Sequence, residues 1–207
     1  MQGKFITLEG IDGAGKTTQL AWLTEILKNH GIDFVVTREP GGTALGEKLR
    51  LLLLDRSISM HPETEALLMF AARREHLDQV ILPALAEGQW VVSDRFTDAS
   101  FAYQGGGRKL EYSKLAVLEQ WVQADLQPDL TLYFDIPVEI AQQRINQIKH
   151  ADRFEQEQFD FFQRVRQAYL QRVKQFPDRM YKIDSSQSLV EVKSAVEKAL
   201  RVLLKHD

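Results

Sequence analysis

Eight residues near the amino terminus, Gly10-Ile11-Asp12-Gly13-Ala14-Gly15-Lys16-Thr17, follow the pattern G-x-x-x-x-G-K-[ST]. The chemistry available to such a run is the grip of nucleotide phosphates. Its glycines let successive backbone N–H groups converge on an anion, and the helix that follows turns its positive end toward it. Lys16 can reach the β and γ phosphates, Thr17 offers a hydroxyl to Mg²⁺, and Thr18 carries the run into the helix. A second set of residues suits the same kind of ligand. Arg38 lies in Thr37-Arg38-Glu39-Pro40-Gly41-Gly42, Arg95 in Ser93-Asp94-Arg95-Phe96, and Arg73 in Phe70-Ala71-Ala72-Arg73-Arg74-Glu75. The planar guanidinium fork recognises phosphate bidentately. Phosphate binders opposite a nucleotide loop imply a second phosphorylated substrate, hence transfer to an acceptor in preference to hydrolysis. Arg73-Arg74 taken alone is more often a solvated helix pair. The Asn-Lys-x-Asp string by which a guanine-specific switch reads its base does not occur.

These residues need elements to hold them. Five β-type runs are legible: Lys4 to Glu9, Phe34 to Thr37, Trp90 to Asp94, Leu130 to Asp135 and Met180 to Asp184. Helical periodicity fills the gaps, with Leu20, Leu23 and Leu27 on one face of the first helix and Asn29-His30-Gly31 as its stop. Strands alternating with helices predict an α/β fold, a five-stranded parallel sheet flanked by helices, whose ligands sit beyond the carboxyl ends of the strands. Glu9, Asp94, Asp135 and Asp184 end four of the runs at that edge, and Arg38 follows the fifth. Residues 41–88 and 139–176 read as helical, with no repeat and no linker, so residues 1–207 are expected to form a single domain.

The 12 glycines fall mostly in three clusters, at 10–15, 41–46 and 105–107, with none after Gly107. That distribution suggests a first half built around a ligand, with the third cluster expected as a turn at that ligand. With no cysteine, a disulfide framework, a thiolate nucleophile and a cysteine-bound zinc are excluded, and a cytoplasmic location is the default expectation. The opening Met1-Gln2-Gly3-Lys4-Phe5 has no signal-peptide pattern, and Leu51 to Leu54 is too short an apolar run for a bilayer. No membrane partner is expected. A net charge of -3 argues against a sequence-independent grip on nucleic acid.

Gly10 to Thr18, Thr37-Arg38-Glu39-Pro40-Gly41-Gly42-Thr43, Asp94-Arg95-Phe96 and Ala102-Tyr103-Gln104-Gly105-Gly106-Gly107-Arg108, in this order, resemble bacterial thymidylate kinases over essentially the whole chain. The resemblance implies a P-loop nucleoside monophosphate kinase fold with a short lid at about 147–154, a homodimer, and ATP + dTMP → ADP + dTDP with Mg²⁺ as cofactor. It implies ATP phosphates on Lys16 and the loop amides from Gly10 to Thr18, metal at Thr17 and Asp12, and adenine stacked on Arg144. Arg95 and Arg38 would hold the dTMP phosphate, with the acid Glu39 nearby. Arg73 and Gln104 would face thymine, Tyr103 would crowd the 2′ position of the sugar, and Ser100 would line the same wall. Phe70 or Met69 would lie on the base. Arg153 or Lys149 would supply the lid cation at the migrating phosphoryl group. A kinase of the same fold acting on another acceptor, and an ATP-binding switch or assembly protein without one, are the alternative functions.

Overall fold

The computed structural model describes residues 3–145, 153–154 and 157–204. Its strands are β1 (Phe5–Glu9), β2 (Phe34–Arg38), β3 (Trp90–Asp94), β4 (Leu130–Asp135) and β5 (Met180–Asp184), all parallel, in the order β2-β3-β1-β4-β5. Every residue of β1 and β4 is buried, as is required of central strands with helices on both faces. Even the polar Thr7 and Thr131 side chains are sealed in, where their hydroxyls bond each other across β1 and β4 at 2.8 Å. The edge strands β2 and β5 keep partly exposed residues.

Nine α-helices accompany the strands among the described residues, eight between strands and one after β5: α1 (Lys16–Asn29), α2 (Ala44–Leu54), α3 (Pro62–His76), α4 (Leu82–Ala86), α5 (Thr97–Ser100), α6 (Tyr112–Gln123), α7 (Val138–Ile145), α8 (Phe159–Gln175) and α9 (Leu189–Leu204). Local chemistry starts several of them. The Thr43 hydroxyl accepts from Gly46 N at 3.0 Å to cap α2, and Pro62 fills the first turn of α3, where its missing N–H costs nothing. The buried apolar residues form two clusters, one that includes Leu23, Leu27, Val165, Val196 and Leu200 and one that includes Phe70, Leu77, Ile81 and Leu115. No helix of the described residues is long and apolar enough to cross a membrane.

Two π-helical turns occur among the described residues, Leu77–Ile81 after α3 and Phe101–Gly107 after α5. The second corrects the expectation of a ligand-facing glycine turn at 105–107. These glycines are helical and lie against the protein itself: a Cβ on Gly106 would meet the Ala168 Cβ at 2.6 Å and the Arg164 carbonyl oxygen at 2.8 Å. Their small size lets the turn pack tightly on α8. Tyr103 and Gln104 are therefore presented from a wide helical turn rather than from a loop.

Candidate active site

The phosphate loop joins β1 to α1. Gly10, Gly13 and Gly15 all have positive φ, and a Cβ on Gly13 would stand 2.6 Å from the Ala141 carbonyl oxygen, so glycine is required both by conformation and by the approach of α7. The outer side of the loop is tied down by Arg144, which donates to the Gly13 and Ser185 carbonyls, and by the Ser185 hydroxyl, which donates to Ala14 O. Lys16 folds back along the loop, donating to Gly10 O at 3.0 Å and Ile11 O at 3.3 Å, with Nζ 3.8 Å from Asp12 Oδ1. Thr17 and Thr18 stand exposed at the start of α1.

Arg95 comes to the same place from β3. Its φ of 72° is the left-handed region, unfavourable for a side chain of this size. Bonds from its N–H to Leu8 O and from the Ser93 hydroxyl to its carbonyl hold that conformation. The guanidinium lies 4.7 Å from the Tyr103 ring centroid, donating to Asp12 Oδ1 at 2.6 Å and to Tyr103 Oη at 3.1 Å. Asp12 is thus the counter-charge shared by Lys16 and Arg95. Burial alone would raise its carboxyl, but the two cations outweigh that and hold it below the ordinary value. Burial and the Arg95 charge lower Lys16, partly against Asp12, whereas Asp12 holds Arg95 well above its ordinary value despite burial. The Tyr103 hydroxyl, pushed up by burial, stays a neutral phenol.

Across a cavity of about 380 Å³ from the loop lie the residues expected at an acceptor. Arg73 is sandwiched between the Phe70 and Phe96 rings, at 4.6 and 4.9 Å from their centroids. It donates to Glu39 Oε2 at 2.8 Å and to Ser100 Oγ at 2.9 Å. Glu39 takes His76 Nδ1 with its other oxygen at 3.0 Å, and His76 Nε2 lies 2.6 Å from Thr37 Oγ1. Glu39 therefore acts on Arg73 and His76. Gln104 donates from Nε2 to the buried Glu65 at 2.8 Å. Arg38 also lines the cavity, paired with Glu47 at 2.8 Å, and Glu47 accepts from Gly42 N to fix the turn after β2.

Three expected positions have a different setting. Phe70 does not line the cavity but lies in the core beneath Arg73, and its neighbour Met69 forms the wall; one residue along a helix turns the side chain by about 100°. Arg153 donates to Glu65 Oε2 at 2.6 Å and to Leu53 O at 2.7 Å and is not among the residues that line the cavity. The rest of the expected lid, Lys149 included, lies outside the described residues. Glu65 and His76 are residues whose importance was not legible beforehand, and Glu9 was legible only as an acid at a strand end. Glu65 reads in the sequence as an ordinary acid in the first turn of a helix, which explains it without any site. Glu9 is fully buried, accepting from Phe96 N at 2.8 Å and Tyr169 Oη at 2.7 Å.

Among the described residues no three His, Cys, Asp or Glu side chains gather as a metal cage. Mg²⁺ that arrives with phosphates needs less: one or two carboxylates, a hydroxyl and water. Asp12 and the Thr17 hydroxyl are present on the cavity wall, and Asp94 adds a buried Oδ1 with no hydrogen-bond partner among the described residues, an acceptor suited to a hydrated cation. The residues fit the ion.

The pattern of the family described as thymidylate kinase matches residues 8–196. A thymidylate kinase of Nitrosomonas europaea is 69% identical over 94% of this chain and 91% of its own length. One of Nitrosospira multiformis is 64% identical, with 98% and 99% covered. Among solved structures, a thymidylate kinase from Ehrlichia chaffeensis superposes with a TM-score of 0.78 at 34% identity, covering 97% of this chain and 99% of that one.

Proposed function

This chain belongs to the thymidylate kinase family, and from that premise we propose how its side chains carry out ATP + dTMP → ADP + dTDP, a step of dTTP synthesis. The observation that carries the reading is that Lys16 of the donor loop and Arg38, Arg73 and Arg95 of three other segments line one cavity. That distribution supports two phosphorylated ligands meeting end to end.

The attacking group is a phosphate oxygen of dTMP, ionised at neutral pH, so no general base is needed. The work is positioning and relief of repulsion between two polyanions. Lys16 and the loop amides hold the donor phosphates, with Arg144 at the adenine side. Arg95, fixed by its strained backbone and by Tyr103, meets the acceptor phosphate together with Arg38. Phosphate oxygens entering the cavity compete with Asp12 for Lys16 and Arg95, so both cations are oriented before they are used. Mg²⁺, when bound with ATP at Thr17 and Asp12, supplies further positive charge to the phosphates. Arg73 and Gln104 meet the base over Met69, and Tyr103 and Ser100 enclose the sugar. Arg153 adds its charge to the transferring group only by exchanging Glu65 for a phosphate oxygen.

The enzyme acts as a homodimer in this reading, supported by an apolar surface on α3 and α6 where Leu67, Val117 and Trp121 are exposed beside a groove lined by Leu110 and Leu118. The deciding assay measures ADP formation with dTMP, dUMP, dCMP, dGMP and AMP as acceptors. Acceptor-dependent ADP release, fastest with dTMP, is expected. ATP turnover indifferent to the acceptor would overturn the reading.

A further inference from the structure

We propose that Glu65 determines which base edge the acceptor site admits, by fixing the orientation of the Gln104 amide. This rests on the dTMP reading above and adds a positioning residue to it. An unrestrained glutamine amide can turn over and offer either oxygen or N–H to a ligand, and so can serve opposite hydrogen-bond patterns. Glu65 removes that choice. Its carboxylate is fully buried and receives Arg108 Nε at 3.1 Å and Arg153 Nη2 at 2.6 Å, so toward Gln104 it has only lone pairs to present. The Gln104 atom 2.8 Å from Glu65 Oε1 is therefore Nε2 on chemical grounds. With Nε2 committed, Oε1 is the group Gln104 offers to a base.

The second half of the pattern comes from Arg73, 2% exposed, whose Nε and Nη2 are spent on Glu39 and Ser100 and whose buried Nη1 has no partner among the described residues. Both side chains line the same cavity. An acceptor beside a donor complements an imide edge, where a ring N–H stands next to a carbonyl, as in thymine and uracil. Cytosine presents the inverse: its ring nitrogen would face Oε1 lone pair to lone pair, and its amine would face an Arg73 N–H. Rejection then follows from leaving buried polar groups unpaired. The carboxylates Glu65 and Glu39 make the donor–acceptor pattern rigid, and Glu65 is the one that selects between two states of its partner.

The test compares kcat/KM for dTMP, dUMP and dCMP in the wild type, Glu65→Gln and Gln104→Ala. Glutamine at 65 can donate or accept, so Gln104 is free to turn its N–H toward the cytosine ring nitrogen. The expected result is a dTMP-to-dCMP preference in Glu65→Gln reduced by about 10-fold or more, with dUMP moving in parallel with dTMP. Loss of the Arg108 and Arg153 contacts would slow all acceptors alike, which the ratio ignores. A Gln104→Ala enzyme with undiminished preference would overturn the base-reading role of Gln104 itself. Preference lost in Gln104→Ala but intact in Glu65→Gln would overturn the role of Glu65 alone. Should Glu65→Gln not fold, the wild-type side-chain ¹⁵NH₂ signal of Gln104, assigned by its disappearance in Gln104→Ala, gives the answer. Slow hydrogen exchange with and without dTMP is expected, and exchange that becomes fast when dTMP binds would show the amide leaving Glu65 and refute the proposal.

Discussion

Replacing Glu9 by glutamine should flatten the pH dependence of stability. Glu9 ends β1 at the base of the phosphate loop, fully buried, and burial together with the nearby Asp98 carboxylate pushes it from an ordinary 4.5 up to about 8. Bonds from Tyr169 and Phe96 N and the Arg95 charge act in the other direction without overcoming burial. In the unfolded chain the carboxyl loses its proton at the ordinary value, so between 4.5 and about 8 folding takes up a proton. The contribution is complete below that window and is lost as pH rises through it. At 1.36 kcal/mol per pKa unit, the full difference corresponds to about 5 kcal/mol. Glutamine has the shape of the protonated acid: its oxygen can accept from Phe96 N while its amide donates to the Tyr169 oxygen. Urea unfolding of both proteins at about pH 5.5 and about pH 9 isolates the effect, because all other titrating groups are common to them. With a slope of about 2 kcal/mol per molar, even half of the effect moves the wild-type midpoint by about 1 M relative to the variant. The variant should gain on the wild type as pH rises. A midpoint difference that is the same at both pH values would refute the reasoning.

Lys16→Ala should lower kcat by about 10³-fold or more, since it removes a charge and a donor aimed at the transferring phosphates; the steady-state rate with saturating dTMP checks this, and a loss under tenfold would contradict it. Arg153→Ala is expected to lower kcat by about 10³-fold if its guanidinium leaves Glu65 for the transition state. Unchanged turnover would confine Arg153 to its tie between Glu65 and Leu53.

Local patterns in the sequence were sufficient for much of the scaffold. The expected β3, β4 and β5 coincide with the observed Trp90–Asp94, Leu130–Asp135 and Met180–Asp184, because an unbroken apolar run bounded by polar residues has few other ways to be buried. The loop between β1 and α1 was legible for a similar reason: its glycines, Lys16 and Thr17 fall within eight consecutive residues, and the positive φ values of Gly10, Gly13 and Gly15 are a local property. Arg95 was legible from its place after an apolar strand ending in an acid. The order β2-β3-β1-β4-β5, by contrast, depends on how crossover helices pack, and no local string records it.

What only the tertiary structure decided is which polar group each charged residue meets. Arg73 finds Glu39 from 34 residues away, Arg153 finds Glu65 from 88, and Tyr169 finds Glu9 from 160. A buried charge tolerates only a well-placed partner, and placement at such separations is set by the packing of the sheet and helices. The same cause moved Phe70 beneath Arg73 and gave its expected wall position to Met69, a rotation of one residue on a helix. It also turned Gly105 to Gly107 from an expected ligand turn into a contact with α6, at Gly105, and with α8, at Gly106 and Gly107. Residue types and short spacings determined the chemistry available to this chain; long-range packing determined which of those groups are spent on one another and which line the cavity.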